Sequence, residues 1–113
     1  MNNDFVEFQE HFKHYQNLFG LSGYKVYFRH EPLEKSFAEI NIENHSLVAT
    51  VTLNSRLSAK DKPFKDIKLS AKHEAIHLLL GQLEDRAYMR FLTKDAIYEA
   101  LEDICHRLEG IIP

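Results

Sequence analysis

Residues 69–81 read Leu-Ser-Ala-Lys-His-Glu-Ala-Ile-His-Leu-Leu-Leu-Gly, with the pattern H-E-x-x-H from His73 to His77 at their centre. Apolar residues recur around this pattern at the spacing of an α-helix, which predicts a helix from about Pro63 to Leu80 that Gly81 ends. The helix has two predicted apolar faces, one with Leu69, Ile76, Leu79, Leu80 and Leu83, the other with Phe64, Ile67, Ala71, Ala75 and Leu78. We expect both histidines on the strip between these faces, largely buried.

The spacing of the two histidines suits a shared metal ion. Side chains four positions apart project from one side of a helix, one turn of about 5.4 Å apart. Catalytic zinc usually takes three protein ligands and leaves a fourth position to a water molecule whose pKa falls to about 7. The pattern therefore predicts His73 and His77 as ligands of one Zn²⁺ per chain and Glu74 as the general base that activates the bound water.

A purely structural interpretation of the motif stays open beside this one. H-E-x-x-H can arise by chance on an amphipathic helix, and the chain contains seven histidines. Under that interpretation His73 and His77 are two core residues, and each buried imidazole then needs its own hydrogen-bond partner.

Length and composition limit what the site can belong to. A chain of 113 residues, 44% hydrophobic and 27% charged, fits one globular domain spanning residues 1–113. The net charge of -3 argues against nucleic-acid binding. Cys105 is the single cysteine, the first residues lack the pattern of a signal peptide, and no apolar stretch is long enough for a membrane span. These features predict a cytoplasmic location.

The rest of the chain predicts one helix, three strands and a closing helix around the motif helix. An aromatic stripe predicts the first helix, capped by Gly20, and Thr93 followed by an acid predicts the start of the last. β-branched and aromatic residues predict the strands Tyr24–Phe28, Phe37–Ile42 and Leu47–Leu53, the last two joined as a hairpin. We expect an α+β fold with a three-stranded, mainly antiparallel sheet.

The third zinc ligand has to come from outside the motif. The extended form H-E-x-x-H-x-x-G-x-x-H is absent, since Leu80 and Leu83 stand where its glycine and third histidine would be. This excludes a metzincin-type site and leaves a carboxylate on a second helix as the usual alternative. The candidates downstream of the motif are Glu84, Asp85, Asp95, Glu99, Glu102, Asp103 and His106.

The segment from Ala96 to Ile104 resembles the second zinc-binding helix of the gluzincin metallopeptidases, especially the thermolysin-like ones. In that family a glutamate ligand is followed four residues later by a hydrogen-bonding aspartate, and Glu99 and Asp103 match this pattern. The resemblance implies Glu99 as the third ligand and Asp103 as a partner that orients a ligand histidine. Glu102 is the alternative third ligand, and His106 would be the ligand if the site is of the SprT-like kind.

Over a longer range, from Tyr24 to Leu108, the layout resembles small single-domain metallopeptidases encoded by phages and prophages, which are related to minimal gluzincins and SprT-like proteins. These share strands, a motif helix and an acidic helix ending in a basic-leucine-acidic run, here His106-Arg107-Leu108-Glu109. The resemblance implies a zincin-like fold and a zinc peptidase that acts on a peptide or protein substrate. The alternative is a zinc-stabilised, catalytically silent phage accessory or protein-binding module.

A zincin-like fold carries two further expectations. An extended peptide would add to the edge of a strand beside the motif helix, and Leu47–Leu53 is the candidate strand. A further donor would stabilise the oxyanion, and the candidates are Tyr88, Tyr98 and His106.

Overall fold

The computed structural model describes residues 3–113. It is a mixed α+β structure with three α-helices and one three-stranded sheet. The elements, in chain order, are α1 (Asn3–Leu18), β1 (Lys25–Glu31), β2 (Ala38–Glu43), β3 (Val48–Asn54), α2 (Ile67–Ala87) and α3 (Lys94–Glu109), with a short 3-10 helix at Lys62–Phe64. The three predicted strands and the first and last predicted helices are thereby confirmed, with small shifts at their ends.

The sheet has the order β1-β3-β2, so the last strand in the chain lies in the middle. β3 pairs with β2 in antiparallel fashion and with β1 in parallel, for example Phe28 with Val51. The expectation of a mainly antiparallel sheet is therefore wrong, because it assumed that β1 and β2 are neighbours. β3 has buried residues along nearly its whole length, whereas β1 and β2 alternate between exposed and partly covered positions. This burial pattern is typical of a central strand between two edge strands.

Asn54 at the end of β3 fastens the segment that leads from β1 to β2. Its side chain accepts hydrogen bonds from the backbone N–H groups of Leu33 and Arg56, at 3.1 and 2.8 Å. It donates to the carbonyls of Leu33 and Ser36, at 3.0 and 2.8 Å. Three of these hydrogen bonds hold the β1–β2 connection, and the fourth fixes the start of the segment after β3.

One face of the sheet is covered by helices and forms the core. Phe8 and Phe12 of α1 are fully buried, and both meet Phe28 of β1 edge-on. Ala71, Ala75 and Leu78 of α2 complete this layer, and Gln16 ties the end of α1 to the start of β1 by donating to two backbone carbonyls. The opposite face carries the exposed residues of β1 and β2. α2 contacts β2 at the border of the sheet.

The motif helix differs from the predicted one at both ends. It begins after Asp66 rather than at Pro63, and it continues through Gly81 to Ala87. Gly81 is buried inside the helix, where a Cβ atom would lie 3.0 Å from Asn44 Oδ1 and 3.5 Å from Ile42 Cδ1. The glycine is therefore explained by close contact with the β2–β3 turn and not by helix termination. Gly20, which was predicted to cap α1, does follow the end of that helix. Its φ of 70° is the left-handed conformation that glycine adopts at helix C-termini.

The chain between residues 3 and 113 contains no helix that combines the length and the apolar character required to cross a bilayer.

Candidate metal and catalytic site

The start of α2 places the motif. Asp66 has an extended backbone, and its Oδ1 accepts a hydrogen bond from the backbone N–H of Leu69 at 3.0 Å. Such an N-cap satisfies one of the unpaired N–H groups at the beginning of a helix. The motif follows about two turns later, so His73, Glu74 and His77 all lie on regular helix rather than on a loop.

His73 and His77 meet through their Nε2 atoms, which are 3.2 Å apart. The ring centroids are 4.8 Å apart, and the ring planes are inclined by 77°. Two nitrogens bound to one tetrahedral zinc ion at about 2.0–2.1 Å would be separated by about 3.3 Å. The observed spacing is thus the one that a shared ion requires, and it also permits a hydrogen bond between the two imidazoles.

Both histidines are exposed, which corrects the expectation that they are largely buried. The physical reason is that α2 is covered on one side only. Leu69, Ile76 and Leu80, which were expected to form a second buried face, are 59%, 38% and 38% exposed. The interpretation of His73 and His77 as core residues loses its basis, since both imidazoles can be reached from solvent.

Glu74 is the buried member of the motif, with only 5% of its surface exposed. Burial raises the pKa of its carboxyl group, while the neighbouring His73 and His77 act in the opposite direction and Glu39 raises the pKa further. Among residues 3–113 the structure contains no hydrogen bond to this carboxylate. A raised pKa and free lone pairs are the properties expected of a group that accepts a proton from a bound water.

The motif opens onto a cleft of about 850 Å³ between α2 and the sheet. One wall is formed by β2 and the turn after it, with Ala38, Ile40 and Asn44. The other wall is formed by α2, with His73, Glu74, His77, Gly81 and Glu84. The cleft extends onto the uncovered face of the sheet, where it reaches Arg29, Thr50 and Thr52. β2 is an edge strand, so its outer backbone groups border the cleft. The expectation that Leu47–Leu53 offers the peptide-binding edge is wrong, because β3 is paired on both sides.

The predicted third ligands lie on α3 and are not brought together with the histidine pair. Glu99 is exposed, Glu102 lies 3.6 Å from the Nε2 of His106, and Asp103 accepts from Arg107 Nε at 3.0 Å. None of these three carboxylates lines the cleft. Within the described part of the chain, no three His, Cys, Asp or Glu side chains are grouped so that they could hold a metal ion.

The three residues considered for oxyanion stabilisation also lie away from the motif. Tyr88 follows the last turn of α2 and is 84% exposed. Tyr98 is hydrogen-bonded to Glu102, which raises the pKa of its hydroxyl. His106 is hydrogen-bonded to Glu109, which raises the pKa of its imidazole. The cleft wall contains none of them.

Two further carboxylates lie beside the motif: Glu84 was among the predicted candidates for the third ligand, and Glu39 was not predicted. Glu39 lies on β2, and Glu84 lies on α2 seven residues after His77, and both line the cleft. The helical spacing of Glu84 relative to His77 was a usable signal, since residues seven apart share a helix face. Glu39 offered no comparable signal, because its position depends on which strand forms the edge.

No protein-family model, no curated protein and no solved structure matches this chain.

Proposed function

We propose that this protein is a zinc-dependent peptidase that hydrolyses peptide bonds, with a zincin-like arrangement of sheet and motif helix. The observation that supports this most directly is the 3.2 Å separation of the Nε2 atoms of His73 and His77 next to a buried, unbonded carboxylate. Two imidazoles at ligand spacing and a base of raised pKa are the two components of metal-assisted hydrolysis. Membership of the phage-type metallopeptidases and a cytoplasmic location belong to the same proposal.

His73 and His77 are the residues that would hold the ion, and Glu99 is the proposed third ligand, with Glu102 as its alternative. When bound, zinc supplies a Lewis acid that polarises a carbonyl and acidifies water. For Glu99 to reach an ion held by the histidine pair, the first turns of α3 would have to lie closer to the motif helix than the structure places them. Asp103, paired with Arg107 here, would orient a histidine only after the same movement.

Glu74 performs the proton transfers in this proposal. Its carboxylate takes a proton from the attacking water and later gives that proton to the leaving amine nitrogen, so the base is regenerated in each turnover. Glu74 is largely buried, while His73 and His77 beside it are exposed. A low-dielectric surrounding strengthens the interaction of the carboxylate with the charges that develop during the reaction.

The substrate would bind as an extended peptide along the free edge of β2. Strand addition pairs the main chain of a ligand with the unpaired backbone groups of an edge strand. β2 contacts α2 and shares the cleft with both histidines, so a peptide on this edge would lie beside the motif.

A second candidate function is a zinc-stabilised module that binds a partner protein without catalysis. The observation in its favour is that the cleft beside the histidine pair runs along the edge strand β2, with which a strand of a partner protein can pair. A module of this kind would bind zinc with protein ligands at all four positions. It would leave no position for a water molecule and would not hydrolyse peptides.

The experiment that separates the two functions uses the zinc-loaded full chain, metal analysis and a mixture of quenched peptides. The peptidase is expected to bind one zinc per chain and to cut peptides, with Glu74→Gln losing about 10²- to 10⁴-fold in rate while retaining the metal. Glu7→Gln, at an exposed position on α1, is the matched control and should retain full activity. Zinc binding without any cleavage would favour the binding module, and a chain that takes up no zinc would exclude both.

A further inference from the structure

The cleft next to the histidine pair has an excess of negative charge. Its lining contains four carboxylates, those of Glu31, Glu39, Glu74 and Glu84, and one guanidinium, that of Arg29. Arg29 Nη1 lies 3.9 Å from Glu31 Oε1, so its charge is directed at Glu31. Within residues 3–113 neither Glu39 nor Glu84 forms an ion pair. The cleft therefore retains two exposed carboxylates that a ligand can neutralise.

These two carboxylates stand on opposite walls of the cleft. Glu39 belongs to the edge strand β2 and interacts electrostatically with the buried Glu74. Glu84 belongs to α2, ten residues beyond Glu74, which is about 15 Å along the helix axis. Glu39 thus marks the level of the motif, and Glu84 marks a point farther along the same cleft.

The course of β2 relates these two levels to the length of a bound peptide. Near its start β2 carries Glu39, which lines the same cleft as Glu74 and whose charge acts on it, and near its end Ile42 lies against Gly81. β2 and α2 consequently advance together along the cleft. An extended peptide rises about 3.3 Å per residue, so the distance of about 15 Å from the level of Glu74 to Glu84 corresponds to about four or five peptide residues.

A second, independent observation indicates that the cleft receives a ligand. The side chain of Glu74 is 95% buried, lines the cleft, and makes no hydrogen bond within the described chain. Because this carboxylate has no partner in the described chain and lines the cleft, a ligand in the cleft can reach it.

We propose that the substrate is an extended peptide with a lysine or arginine beside the scissile bond and a second one about four or five residues away, recognised by Glu39 and Glu84 respectively. This proposal rests on the peptidase function proposed above. Opposite charges that face each other on neighbouring strands attract. Side chains alternate along a strand, so the peptide residue opposite Glu39 lies on one face, and the peptide residues before and after it lie on the other face, next to Ile40. Peptide residues next to Ile40 make apolar contacts only, so the basic residues determine the specificity.

The test compares quenched peptides of one apolar frame that carry lysine, glutamine or glutamate at the two positions. With the zinc-loaded full chain, lysine peptides are expected to have the highest kcat/KM. Glu39→Gln and Glu84→Gln should each lower kcat/KM by about fivefold for lysine peptides and leave glutamine peptides unchanged. Glu84→Lys should shift the preference toward glutamate at the distal position. Glu7→Gln, remote from the cleft, is the control that should alter neither.

A binding measurement with Glu74→Gln separates this proposal from the peptidase function. Fluorescence anisotropy of labelled, uncleaved peptides should show the same preference for lysine, weakened by added salt. Cleavage without any charge preference would overturn the acidic recognition and leave the peptidase standing. Charge-selective binding without cleavage by the parent chain would support the recognition and overturn the peptidase. Peptides that are neither bound nor cut would overturn both.

Discussion

Asn44 and Gly81 join the β2–β3 turn to the middle of the motif helix with no room for another carbon atom. Asn44 Nδ2 donates to the Gly81 carbonyl at 3.2 Å, and the Oδ1 of the same amide accepts from the Tyr24 hydroxyl at 2.9 Å. Because both ends of the amide are held, it cannot move aside for a side chain at residue 81. The wall of the cleft and the helix of the motif are thus positioned by one contact.

We expect Gly81→Ala to lower the free energy of unfolding by about 1 kcal/mol. Alanine gains about 1 kcal/mol of helix propensity over glycine, but its Cβ would lie 3.0 Å from Asn44 Oδ1, and overpacking costs about 1–3 kcal/mol. Urea denaturation measures the difference. In an Asn44→Ala background the same change should become stabilising, since the obstructing amide is gone. Equal effects in both backgrounds would contradict the close contact.

Glu74→Gln is expected to stabilise the metal-free chain near neutral pH, although it removes the proposed base. The pKa of Glu74 is raised above its ordinary value of 4.5, chiefly by burial. A raised carboxyl pKa means that the folded state holds the proton more tightly, so this stability is present at low pH and is lost as pH rises through the folded pKa. The advantage of the glutamine variant should grow over that interval. Thermal midpoints across the pH range test this, with the exposed Glu99→Gln as control.

Zinc is expected to stabilise the chain through the histidine pair. A ligand that binds only the folded state at a hundred times its Kd adds about 2.7 kcal/mol. This gain should vanish in His73→Ala and His77→Ala, while the exposed His45→Ala retains it. Glu99→Gln should weaken zinc binding less than either histidine variant, because Glu99 is not grouped with the pair in the metal-free chain. A shift in melting temperature that is the same in all variants would place the zinc elsewhere.

Asp66→Ala should cost about 1 kcal/mol of stability through the loss of the N-cap of α2. The carboxylate accepts the Leu69 N–H, and alanine leaves that donor without its partner. Asp66→Ser keeps a capping oxygen and should stay close to the parent chain. Chemical denaturation compares the three proteins, and an alanine variant as stable as the serine variant would show that the cap is dispensable.

The motif and the types of element could be predicted from the sequence, because both depend on short spacings. The helical periodicity around His73 and the β-branched runs that became β2 and β3 are local patterns. Strand order could not be predicted, since the same alternation fits β1 next to β2 or next to β3. The free edge, the position of Glu39 and the correct strand for peptide binding all depend on that order.

The ends of α2 and the exposure of its histidines were mispredicted for a related reason. Gly81 has the residue type of a helix terminator, and only its contact with Asn44 reveals why glycine is required within the helix. The exposed apolar residues Leu69 and Ile76 have the spacing of a buried face. Periodicity identifies apolar faces, but it does not state whether the fold supplies a partner for each of them.

The placement of β3 between its two neighbours has a consequence for the order of folding. The pairing of β2 with β3 closes a short loop, whereas β1 pairs with β3 across the whole of that hairpin and must dock in parallel. Closing the longer loop costs more chain entropy, so the hairpin is expected to be formed in the folding transition state and β1 to join afterwards. Kinetic φ-values should then be high for Ile40→Val and low for Val26→Ala, and the reverse ranking would assign the nucleus to β1. The strand that borders the cleft would in this way be among the earliest structure that the chain acquires.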